Sequence, residues 1–241
     1  MLDLEDADFR YPDSENLYCQ RIEKCGWSVY SNNTTEVHRG NWREIFQDST
    51  QSSPIRKLHV EVGCSAGHVA IEWAAQTPHD AYIGLDWKFK MAYRGAEKTQ
   101  KRGIKNLIFL RGRSERIQYI FGPGEIDYLY LYFPDPWQKY SQRKNRFISP
   151  RRLREVAPLL KPGGVFHIKT DHAEYFEKMV LAANECANET NSPWEISELT
   201  RDLHAQNPDR ASLSIPEVTL FERMFIREGI AIKSLKLKRR G

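Results

Sequence analysis

From Leu58 onward the chain alternates short apolar runs with amphipathic stretches of helical length, and this alternation constrains the fold more than any other feature. LHVEVG (58–63) reads as a buried strand, and AGHVAIEWAAQT (66–77) as a helix with Val69, Ala70, Trp73 and Ala74 on one face. AYIGLD (81–86) is the next strand. A helix follows over 88–103, with Gly103 just past its end. NLIFLRG, SERIQYIF and IDYLYLYF continue the pattern to Phe133. SPRRLREVAPLLKPGG reads as a helix opened by a Ser cap and closed by Pro and Gly, GVFHIKTD as a strand, and 172–189 as a long helix. Strands separated by helices of this length pair in parallel through right-handed crossovers. The expected fold is α/β: a mostly parallel twisted sheet with helices on both faces. WEISELTRDL and VTLFERMFIREGIAIKSLKLK read as strands joined by the polar loop HAQNPDRASLSIPE, which would give an antiparallel C-terminal edge.

Residues 1–55 read as an N-terminal arm, partly ordered, and 56–241 as the main domain with a basic C-terminal tail. A hydrophobic content of 40% with 6 Trp, 11 Tyr and 11 Phe supports a packed core and argues against general disorder. No apolar run approaches 18 residues and the acidic start has no apolar h-region, so neither a membrane span nor a secretory signal is expected. Cys19, Cys25, Cys64 and Cys186 show no CxxC pairing and no metal-ligand spacing; reduced thiols in a cytoplasmic protein, without a metal, are the expectation.

Two segments carry chemistry. The first is EVGCSAG (61–67), where a strand passes into a helix and Gly63 and Gly67 permit a tight turn and close approach of a ligand to the backbone. Glu61, the acid before the first glycine, would repel a pyrophosphate but suits a cationic ligand. Asp86, 23 residues after Gly63 at the end of the second strand, can accept from ribose hydroxyls. This set fits S-adenosylmethionine better than a nicotinamide dinucleotide. Ser65 stands in the middle of the turn, and a negative φ is expected of it.

The second segment is IDYLYLYFPDPWQKYSQRKNRF (126–147). A β-rich run stops at Pro134-Asp135-Pro136-Trp137, and the two prolines fix the backbone around Asp135. A held carboxylate beside an aromatic ring suits a planar polar group. Seven basic residues follow without an acid: Lys139, Arg143, Lys144, Arg146, Arg151, Arg152 and Arg154. With the closing KSLKLKRR they form the kind of basic stripe that contacts nucleic acid, although the net charge is only +4. Other roles compete: Asp135 as a turn cap, Asp171 as a helix N-cap, Trp137 as a packed ring, and His167 as a structural residue within a strand.

EVGCSAG, GLD at 84–86, FPDPWQK at 133–139, Thr170-Asp171 and TLFE at 219–222 together resemble the tRNA (guanine-N7-)-methyltransferase family over roughly 58–232. The resemblance implies a Rossmann-like class I methyltransferase that uses S-adenosylmethionine to methylate a guanine N7 in the tRNA variable loop. It implies a cofactor site of Glu61, Gly63, Gly67, Asp86 and Ser114, and a catalytic acid at Asp135. It also implies substrate contacts from Lys139, Asp171, Thr219 and Glu222, with tRNA as the partner. This chain departs from the family at Ser65, where a glycine is usual, and at Arg113-Ser114, where an acid and an alanine are usual. It departs again at Gln142 and Asn145, in place of His and Arg. A divergent paralogue acting on another RNA or base-containing molecule, and a non-catalytic RNA-binding protein, are the other readings the residues allow.

Overall fold

The computed structural model describes residues 16–46, 54–205 and 218–241. The acidic start, the polar linker at 47–53 and residues 206–217 of the polar loop lie outside the described residues. The chain divides into two compact units, Met1–Ile126 and Asp127–Gly241.

In the first unit, helix α1 (Leu17–Glu23) and strand β1 (Val29–Ser31) precede the alternating segment. That segment gives β2 (Leu58–Val62), α2 (His68–Gln76), β3 (Ala81–Asp86), α3 (Phe89–Lys101), β4 (Leu107–Arg111) and the short α4 (Ile117–Ile120). The strand order is β1-β4-β3-β2, all parallel, with Val62 opposite Leu85 and Asp86 opposite Arg111. Every residue of β2, β3 and β4 is buried, as parallel strands covered on both faces require. Phe109 fills the space left by glycines: a Cβ at Gly67 or at Gly95 would come within 2.4 Å of its ring.

The expected arm is part of this unit from residue 16 to 46. β1 pairs with β4, Trp42 is fully buried, and its indole N–H donates to the Ile120 carbonyl at 2.8 Å. Buried Glu125 accepts from the backbone N–H groups of Gly40, Trp42 and Gly122 at 2.7–2.9 Å, fixing the segment to the unit.

The second unit contains β5 (Ile126–Tyr132), α5 (Pro150–Val156), β6 (Leu160–Thr170), α6 (Ala173–Ala187), β7 (Trp194–Thr200), α7 (Leu220–Arg227) and β8 (Lys233–Arg239). The order is β5-β6-β8-β7, and β8 runs antiparallel to both of its neighbours. Ser149 caps α5 as expected, but the helix stops at Val156 and β6 already begins at Leu160, so KPGG lies in a strand. Pro158, which cannot donate to a helical carbonyl, marks that break.

Two C-terminal expectations are corrected. VTLFERMFI is not a strand: Thr219 and Glu222 form a reciprocal capping box that starts α7. KSLKLKRR is not a free tail, because Lys233–Arg239 is a strand hydrogen-bonded on both sides with Leu235 and Leu237 fully buried. His167, within β6, is structural as expected. It lies between the Tyr132 hydroxyl (2.9 Å) and Ser234 Oγ (3.0 Å), and burial holds its pKa down at about 3.

Candidate functional site

In the first unit the cofactor candidates gather at the C-terminal ends of β2, β3 and β4. Gly63 and Gly67 both have positive φ, at +74° and +65°, and Gly67 is the residue before α2. Asp86 accepts from the backbone N–H of Ser65 through one oxygen and from that of Lys88 through the other, each at 2.9 Å. One carboxylate thus ties the glycine turn to the start of α3. Ser114 opens a short 3-10 turn after β4, its Oγ 3.3 Å from Glu115.

Ser65 overturns the expectation of a negative φ. It sits at +51°, in the left-handed region that disfavours a Cβ. The bond to Asp86 holds it there. Ser65→Gly is therefore expected to stabilise the protein by about 0.5–1 kcal/mol, the left-handed penalty exceeding the extra unfolded-state entropy of glycine. Urea unfolding checks this, and a loss of stability would contradict the strain assignment.

Glu61 is the electrostatic centre of this half. It is buried, and one carboxylate oxygen, Oε2, has no hydrogen-bond partner among the described residues. Burial, with the Asp86 charge adding to it, pushes its pKa up to about 8. An enclosed carboxyl with an open acceptor, beside a turn whose Gly63 would meet nothing with a Cβ, fits a ligand that brings positive charge. S-adenosylmethionine has that character, and the residues present fit it.

In the second unit β5 delivers the signature turn. The Phe133 N–H donates to the Lys169 carbonyl at 2.8 Å, and its ring packs 5.6 Å from that of Phe225 on α7. Asp135 is exposed and its carboxylate makes no hydrogen bond among the described residues, so it does not cap the turn. Trp137 is half-buried. Asp171 is not the cap of α6 either; His172 Nδ1 takes that role by accepting from the Tyr175 N–H at 3.1 Å. The Asp171 backbone carbonyl accepts from Lys233 Nζ at 2.8 Å.

Thr219 and Glu222 are placed differently from an open binding site. Glu222 has no exposed surface. Both oxygens receive Lys169 Nζ at 3.1 Å, one lies 2.6 Å from His204 Nε2, and the other accepts from the Thr219 N–H. Sequence reasoning missed Lys169 and His204. The signal that was available is the Lys two residues before Asp171, a cation inside an apolar strand that must find a buried acid.

The basic run is less bare than its sequence. Arg143 pairs with Glu174, Arg151 and Arg152 with Glu155, and Arg154 with Glu185 and Glu189. Within β8, Lys236 pairs with Glu198, and Arg239 donates to the Leu160 carbonyl. Lys139 and Lys144 stay exposed, without an ion pair among the described residues, flanking a Tyr140 that is 87% exposed. No helix among the described residues is long and apolar enough to cross a membrane.

The family model described as "Putative methyltransferase" matches residues 55–232. A tRNA (guanine-N(7)-)-methyltransferase of Bdellovibrio bacteriovorus is 32% identical over 203 residues, 84% of this chain and 91% of that protein. A bifunctional glycosyltransferase/methyltransferase of Fusobacterium nucleatum is 32% identical over 88% of this chain, which spans only 31% of it. Among solved structures, the 16S rRNA methyltransferase KamB superposes with a TM-score of 0.54 at 17% identity. That match covers 77% of this chain and 89% of the other, and it speaks for the fold alone. With the family model covering most of the chain and a relative matched over nearly its whole length, this chain is a member of the tRNA (guanine-N7-)-methyltransferase family, built on the class I, Rossmann-like methyltransferase fold.

Proposed function

We propose that the protein transfers a methyl group from S-adenosylmethionine to N7 of a guanine in the variable loop of tRNA. The observation that carries this reading is Asp135: an exposed carboxylate with no hydrogen bond among the described residues, on a turn fixed by two prolines, in a member of this family. When bound, S-adenosylmethionine supplies an electrophilic methyl group. Guanine N7 offers a lone pair and carries no proton, so the protein needs no strong base; it has to align the acceptor and steady the positive charge that grows on the base. Asp135 serves both needs, by accepting from guanine N–H groups and by its charge. Asp171 adds a second acceptor, Trp137 an aromatic surface, and Lys139 and Lys144 hold phosphates. Thr219 and Glu222 act through the placement of α7 and of Lys169. Gly63, Gly67, Asp86 and Ser114 shape the cofactor site around Glu61.

Incubation with methyl-labelled cofactor and bulk tRNA, then nucleoside analysis, tests this. Label in 7-methylguanosine is expected, and label confined to another nucleoside would overturn it.

The raised pKa of Glu61 has a consequence for the cofactor. In the free protein the carboxyl is neutral below about pH 8, whereas a cationic ligand favours the ionised form. Affinity for S-adenosylmethionine should therefore rise from pH 6 to about 8, by at most about tenfold per unit, and then level off. Titration calorimetry on the wild type and Glu61→Gln isolates the effect. Equal pH slopes in the two proteins would contradict it.

A further inference from the structure

The sequence places Arg146 among the phosphate-binding cations, but its side chain turns inward. Nε donates to the Pro136 carbonyl at 2.8 Å, inside the turn that carries Asp135. The guanidinium lies 4.5 Å from the centroid of the Tyr175 ring, and Nη2 is buried, without an acceptor among the described residues. Tyr175 is itself fully buried on α6, with its hydroxyl accepting from the Ile148 N–H at 3.3 Å. A line of contacts therefore runs from α6 through Tyr175 and Arg146 to the backbone next to Asp135.

That turn needs holding. Phe133 and Trp137, the residues on either side of Pro134-Asp135-Pro136, have φ of +51° and +44°. Neither is glycine, and such backbone persists only where its surroundings over-determine it. Lys169 holds the Phe133 end through the hydrogen bond to its N–H. Arg146 holds the other end, one residue before Trp137.

We propose that Arg146 is a positioning residue for Asp135, fixing the turn that presents the carboxylate, and is not part of the phosphate-binding surface. The inference rests on the assignment of Asp135 to the methyl acceptor. A cation–π contact and a backbone hydrogen bond suit arginine, whose planar group stacks and donates at once. The phosphate contacts of this segment then come from Lys139 and Lys144, which remain exposed.

The test compares Arg146→Ala, Arg146→Gln and Lys144→Ala in the full chain. For Arg146→Ala we expect kcat to fall about 10- to 100-fold, as slight misplacement of a reacting group costs. KM for tRNA stays within about twofold, and the salt dependence of tRNA binding is unchanged. Deuterium uptake of 133–139 rises. Lys144→Ala does the opposite, lowering the salt slope by about 0.7–0.9 while leaving uptake of 133–139 alone. Arg146→Gln keeps an N–H donor without the charge, and recovers at least about threefold of the kcat lost in the alanine variant; it also decides the matter if alanine prevents folding. A lowered salt slope and raised KM in both Arg146 variants, with kcat and exchange unchanged, would overturn the proposal. If the wild type methylates a different nucleoside, the guanine N7 reading fails. The kcat and KM measured on that nucleoside, with the exchange of 133–139, still decide the role of Arg146.

Discussion

Asp135→Ala is expected to lower kcat for methyl transfer by about 10²–10³-fold, the loss typical when a group aimed at developing charge is removed. Because Asp135 is exposed and makes no hydrogen bond among the described residues, the substitution removes nothing that the fold depends on. The melting temperature should stay within about a degree of wild type, exposed substitutions of this kind costing at most about 0.5 kcal/mol. Affinity for S-adenosylmethionine should be retained, since the cofactor candidates lie at the ends of β2, β3 and β4. Asp135→Asn keeps the shape but loses the charge, and should be nearly as inactive as the alanine variant. An active Asp135→Ala enzyme would mean that the acid is wrongly assigned; an Asn variant as active as wild type would mean that shape, not charge, is what matters.

Glu222→Ala is expected to cost about 3–5 kcal/mol of stability, the range for removing one partner of a buried ion pair. The carboxylate has no exposed surface, and its loss leaves the buried Lys169 ammonium, the His204 ring and the Thr219 N–H without their shared acceptor. Against a typical total of about 5–15 kcal/mol, the variant would be marginal at growth temperature. The effect reaches the site through one residue: Lys169 pairs with Glu222 by its side chain and holds Phe133 by its carbonyl. Glu222→Gln keeps the acceptor for the helix cap and should lose less. Lys169→Met added to Glu222→Gln should cost less than the sum of the two single changes, because no cation is then left unpaired. Strict additivity in urea unfolding would show that the pair is not the origin of the cost.

The parts of the fold that the sequence makes legible are those governed by local rules. β2, β3 and β4 are predominantly apolar runs because every position is buried, and Gly103 ends α3 with φ of +66° because only a left-handed residue closes that helix cheaply. α7 was obscured because Val218, Thr219, Phe221, Phe225 and Ile226 have strand propensity; the Thr219–Glu222 capping box overrides it. β8 is legible as a strand through KSLKLK, because Leu235 and Leu237 alternate as a half-buried strand requires; only its closing charges suggest a tail.

The site divides in the same way. The placement of Glu61, Gly63, Gly67, Asp86 and Asp135 in turns and at strand ends is legible because glycine turns, prolines and strand-end acids act within a few residues. The basic run is not legible, because the acids that neutralise Arg143 and Arg154 lie on α6 and just beyond it, about 30 residues on. The inward turn of Arg146 depends on Tyr175, 29 positions away. The left-handed Ser65 depends on Asp86, at the end of another strand.

The central claim is that the acceptor is guanine N7, and one substitution in the RNA addresses it alone. A tRNA carrying guanosine in the variable loop is compared with the same tRNA carrying 7-deazaguanosine there, which keeps the Watson–Crick edge but has carbon in place of N7. Methyl transfer to the first and none to the second is the expected result. Equal transfer to both would show that the methyl group goes to another atom and would contradict the account.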